Sequence, residues 1–79
     1  YIIVTAHYDH LGKVINNIDL NDVNLKEDII YNGATDNALG VAALLEIAKD
    51  IISSKKNKRS IIFLLTTGEE FGLLGSGYY

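Results

Sequence analysis

The chain has 79 residues, 48% of them hydrophobic, with a formal net charge of -3 and no cysteine. That length allows one small domain with limited capacity to bury a core, and the apolar fraction excludes a disordered tail. Without cysteine there is no disulfide framework and no thiolate metal site, so any metal falls to His, Asp and Glu.

Residues 1–6, Tyr-Ile-Ile-Val-Thr-Ala, are apolar and rich in β-branched side chains, which predicts a strand. It runs into His7-Tyr8-Asp9-His10. His7 and Asp9 are two apart, so in extended geometry they lie on one side of the chain. Such a pair suits a metal-binding imidazole whose other nitrogen is fixed by a carboxylate; an ordinary polar strand end reads the same way. Residues 10–35 are expected to be mainly loop, with a short strand near 29–31 as an option.

Asn32-Gly33-Ala34-Thr35-Asp36-Asn37 is turn chemistry leading into a predicted helix over residues 37–53. Val41, Leu44, Leu45, Ala48, Ile51 and Ile52 recur at helical spacing and give it one apolar face. Asp36 or Asn37 can cap its first turn; Asp36 can equally serve as a metal-binding carboxylate at the helix entrance. Gly40 is a poor helix former, and close approach of its backbone to another group is one reason for it. The basic cluster Lys55-Lys56-Asn57-Lys58-Arg59 follows. Its place after a helix reads as a solvated exit complementing the helix dipole, and nothing else in the chain speaks for nucleic acid. No apolar run approaches the roughly 20 residues needed to span a bilayer.

A second strand is predicted over 60–67. It is apolar enough to be buried on both faces and is followed by Gly68-Glu69-Glu70. Within a strand adjacent glutamates point to opposite faces; beyond its end, at a turn, they can share a site. Strand, helix, strand is a βαβ unit with parallel strands, which brings both carboxyl ends to one edge. His7, Asp9, Glu69 and Glu70 therefore converge, with Asp36 at the nearby helix start. Four carboxylates and a His at one sheet edge repel unless a cation sits among them.

Three segments carry a family resemblance. They are Thr5-Ala6-His7-Tyr8-Asp9-His10-Leu11-Gly12, then Asn32-Gly33-Ala34-Thr35-Asp36-Asn37-Ala38-Leu39-Gly40-Val41-Ala42, then Thr67-Gly68-Glu69-Glu70-Phe71-Gly72-Leu73-Leu74-Gly75-Ser76. In order and spacing they resemble the co-catalytic di-zinc exopeptidases of the bacterial leucyl aminopeptidase and glutamate carboxypeptidase II type, metallopeptidase family twenty-eight. The resemblance implies an α/β fold: a three-layer αβα zinc-exopeptidase architecture with a mainly parallel sheet, of which this chain is a βαβ excerpt ending in the start of another helix at 72–79. It implies that His7 binds one Zn2+, Asp36 bridges two, Glu70 binds the other, Glu69 is the general base and Asp9 orients the site. The implied substrate is a peptide and the implied activity that of an aminopeptidase.

The chain departs from the family pattern in lacking the Asp and His ligands that come further along. It reads as part of a longer protein and is expected to be inactive alone, with exposed strand edges and apolar surface. His10 is read as a structural or loop residue. Two alternatives stand beside the peptidase: a glutaminyl-cyclase-like acyltransferase with one zinc, and a non-catalytic binding module of the same fold. Gly40-Val41-Ala42 is closer to the peptidases, and a scaffold has no need of a free carboxylate at Glu69. The family resemblance also favours an exported or periplasmic enzyme.

Overall fold

The structure, a computed structural model, describes residues 1–13 and 30–79. Its elements are strand β1 (Ile2–His7), a π-type turn (Ala34–Ala38), helix α1 (Leu39–Ser54), strand β2 (Ile61–Thr66) and a short helix α2 (Leu74–Tyr78). β1 and β2 form a two-stranded parallel sheet, in register from Ile2 opposite Ile61 to His7 opposite Thr66. This is the βαβ arrangement implied by two apolar runs flanking one amphipathic helix.

The ends of these elements place the site. β1 includes His7, the last residue in register, and one further bond, Tyr8 N–H to the Thr66 carbonyl at 3.0 Å, closes the ladder. Thr67 has left the sheet. Its carbonyl receives the Gly75 N–H at 2.9 Å instead, so the chain turns at once toward the paired glutamates. α1 begins at Leu39 because Asp36 (φ -123°, ψ 87°) and Asn37 (φ -138°, ψ 37°) are not helical. The final helix starts only at Leu74, after Gly72 (φ 98°) and Leu73 (φ 60°) take left-handed backbone.

α1 lies mainly along β1. Leu44 and Ala6 are the buried apolar residues among those described, with Val41, Ala48 and Ile51 half-buried beside them. Leu45 and Ile52, on the flank of the expected apolar face, are 56% and 72% exposed. A two-stranded sheet is too narrow to cover the whole stripe, so only its centre is packed. Tyr1, Ile2, Ile3, Phe71 and Leu74 are also exposed, apolar surface of the kind that further layers of an α/β fold cover.

The described ends of the long connection meet. Lys13 and Ile30 form an isolated antiparallel bridge, and the Tyr31 N–H donates to the Gly12 carbonyl at 2.8 Å. Of the short strand expected near 29–31, Ile30 takes part in this bridge and residue 29 lies outside the described residues. Lys55 adopts left-handed backbone (φ 49°) at the end of α1. The basic cluster is exposed beside the start of both strands, and its residues 56–59 line a cavity of 330 Å³ with Ile2 and Ile61. That is the end of the sheet opposite to His7. No helix among the described residues is long and apolar enough to cross a membrane.

Candidate metal centre

The carboxyl edge of the sheet is built around His7. Its Nδ1 lies 3.2 Å from the Asp9 carbonyl oxygen and 3.4 Å from Asp9 Oδ1. With Nδ1–H donating to the carbonyl, the tautomer leaves the Nε2 lone pair facing outward. Nε2 meets two carboxylates, Asp36 Oδ1 at 3.1 Å and Glu69 Oε2 at 3.9 Å. Burial disfavours the charged imidazole, but the Asp9 carbonyl and then the charges of Glu69, Asp36 and Asp9 outweigh it, and the pKa is raised above 6.5. The site thus attracts positive charge to Nε2.

Asp9 reaches across to the other strand. Its Oδ2 accepts the Gly68 N–H at 2.7 Å and the Glu69 N–H at 3.2 Å, which fastens the turn after β2 to the end of β1. Its Oδ1 is buried without a hydrogen bond, although it faces the His7 ring. Asp9 thus meets the imidazole through its main-chain carbonyl and the backbone that carries the glutamates through its carboxylate.

At the helix entrance the two candidate caps divide. Asn37 Oδ1 accepts the Gly40 N–H at 3.0 Å, satisfying a free donor of the first turn from the position just before the Ala38 N-cap. A Cβ on Gly40 would collide with the Asn37 side chain, which accounts for glycine in the first turn. Asp36 takes no part in capping. It projects to His7 and, 62% exposed, is open to what approaches from solvent.

The adjacent glutamates separate as well. Glu69 faces His7, whereas Glu70 Oε1 lies 2.7 Å from His10 Nδ1. His10, Asp36 and Glu70 each offer a ligand atom within 4.8 Å of the others. The turn brings all five expected residues together: His7 with Asp9, Asp36 and Glu69, and Glu70 against Asp36. It adds His10, which the residue pattern left in the loop. A charge count was the available signal, since two neighbouring glutamates arrive at an edge supplied by the chain's two histidines.

These residues fit a divalent cation. Imidazole nitrogen and carboxylate oxygen are a donor set suited to zinc. Among the described residues, Asp36 is the carboxylate grouped with both His7 and Glu70. Three carboxylates crowd His7 within 4.0 Å, and a cation on Nε2 would compensate them as the proton does in its absence.

Comparison with known proteins bears on this geometry. The description of Peptidase family M28 matches residues 1–79. The chain is 37% identical over 76 residues to a probable zinc metalloprotease of Pyrenophora tritici-repentis, covering 96% of this chain and 15% of that protein. It is 32% identical over 78 residues to Aminopeptidase YwaD of Bacillus subtilis, covering 99% and 13%. It is 41% identical over 44 residues to a vacuolar membrane protease of Candida tropicalis, covering 56% and 5%. The chain spans between 4% and 15% of the length of the curated relatives it matches. No solved structure matches it significantly. The expectation of an exported or periplasmic enzyme is corrected here. Several relatives are named vacuolar membrane proteases, which points to a vacuolar membrane in those proteins; motif segments shared with a family do not themselves encode a compartment. With the match running from the first strand through the glutamate turn, the chain belongs to Peptidase family M28.

Proposed function

We propose that this chain carries the first metal ligands and the general base of a zinc-dependent exopeptidase, an aminopeptidase that removes the N-terminal residue of a peptide. His7, Asp36 and Glu70 would hold the zinc, with Asp36 shared between the His7 and Glu70 sides, while Glu69 would move the proton and Asp9 would hold the assembly in place. The observation that carries the reading is the position of Asp36, 3.1 Å from His7 Nε2 and grouped with Glu70 on its other side. The relatives named zinc metalloprotease and aminopeptidase support the metal and the reaction class.

Zinc supplies Lewis acidity, lowering the pKa of water and polarising a carbonyl. The protein's own residues do the remainder. Glu69, half-buried beside His7, can accept a proton from the attacking water and return it to the leaving amine. Its backbone N–H on Asp9 fixes where that side chain leaves the turn. Glu70, turned toward His10, is kept for metal and leaves its neighbour free to exchange protons.

The test is zinc content and turnover of the full-length protein with Glu69→Gln beside it. About two zincs per chain are expected in both, with turnover falling roughly 10²–10⁴-fold in the variant. Undiminished turnover would remove Glu69 as base. About one zinc would favour a single-zinc acyltransferase, and none after reconstitution would exclude the metallopeptidase.

A further inference from the structure

We propose that His10 is a positioning residue for Glu70: it donates Nδ1–H to one carboxylate oxygen and thereby turns the other toward metal beside Asp36. The inference rests on the zinc reading above and adds to it a residue outside the set His7, Asp9, Asp36, Glu69 and Glu70. Its first support is the contact itself. His10 Nδ1 and Glu70 Oε1 are 2.7 Å apart, at the short end of charge-assisted bonds, with both side chains largely buried at 20% and 16% exposure.

The second support is that the imidazole is held from behind. Tyr31 meets it edge to face, with ring centroids 5.8 Å apart and planes at 89°. Gly33 leaves room for the ring without much to spare: a Cβ there would lie 3.3 Å from both Cβ and Cδ2 of His10. Tyr31 is itself pinned, its N–H on the Gly12 carbonyl and the Lys13–Ile30 bridge beside it. A ring packed in this way has little rotamer freedom left, so its Nδ1–H points in a fixed direction.

The third support is chemical. A glutamate on a surface turn has three side-chain torsions to settle before it can ligate. An outer partner on one oxygen removes that freedom and leaves the second oxygen for the metal, and loss of such partners typically costs about 10–100-fold in metal affinity. His10 sits three residues beyond His7, so one strand end supplies a group for each side of Asp36.

The test measures zinc affinity of the full-length protein by competition with a chelating dye, together with thermal unfolding of the metal-free form. His10→Ala is expected to weaken one of two zincs by about 10–100-fold while the other is retained. His10→Asn, whose amide nitrogen can occupy the place of Nδ1, is expected to recover most of the loss. His10→Gln, whose amide reaches toward the place of Nε2, is expected to recover little. If His10→Ala does not fold, the Asn and Gln variants carry the comparison between them. Wild-type affinity in His10→Ala, or an Asn variant no better than the Gln variant, overturns the positioning role; the latter result means that the imidazole ligates metal itself. Absence of zinc from the wild-type protein removes the peptidase reading and His10's role together, an outcome distinct from zinc-replete protein indifferent to His10.

Discussion

At the level of single residues, His7 shows how much one imidazole can be made to carry. Its inner nitrogen is committed to the Asp9 carbonyl, and its outer one faces Asp36 and Glu69. In metal-free full-length protein the ring is expected to titrate above 6.5, read from its NMR ring signals across pH, and zinc is expected to abolish that titration. The sign of the linkage follows from the raised pKa. Protonated His7 stabilises the metal-free fold below the unfolded value of about 6.5, and that stabilisation is lost as pH rises through the folded pKa. Zinc binding runs the other way, improving with pH because the proton must leave first. A midpoint at or below 6.5 would contradict the charge arrangement around Nε2.

At the level of elements, the turn after β2 matters most, because it alone lets consecutive glutamates face different histidines. Gly68 has φ 73°, and a Cβ there would lie 3.0 Å from that of Leu74. Gly68→Ala should cost about 1–2 kcal/mol from the left-handed backbone alone, measured by unfolding of the metal-free protein. It should also lower turnover more than Gly12→Ala, since Gly12 shares the positive φ (81°) but has open space and no bond to Asp9. Equal losses in the two variants would separate the turn from catalysis. Much of this was legible in the residue pattern. Two apolar runs and a helical repeat between them lead to parallel strands, and parallel strands lead to a shared edge for His7 and Glu69. Left-handed backbone at Leu73, non-helical backbone at Asp36 and Asn37, and the direction of His10 were not legible. The direction of His10 depends on Glu70, 60 residues away in sequence. Leu73 and Asn37 sit in turns closed by local bonds, Leu73 N–H to the Glu69 carbonyl and Gly40 N–H to Asn37 Oδ1, whose path the residue types alone do not specify.

At the level of the whole molecule, the bridge between Lys13 and Ile30 has a consequence for how the protein can vary. Antiparallel bridge partners have Cα atoms about 4.5–5.5 Å apart, a gap that a two-residue hairpin spans. Residues 14–29 therefore join two positions that lie side by side, and none of the candidate metal-site residues falls among them. Replacing them with Asn-Gly in the full-length protein should leave zinc affinity essentially unchanged, and should lower the entropic cost of closing the connection by about 2 kcal/mol. A large loss of zinc would mean that the excursion props up Tyr31 and through it His10. Retained zinc with altered substrate preference would make this segment an exchangeable cassette, free to diverge while the metal chemistry stays constant.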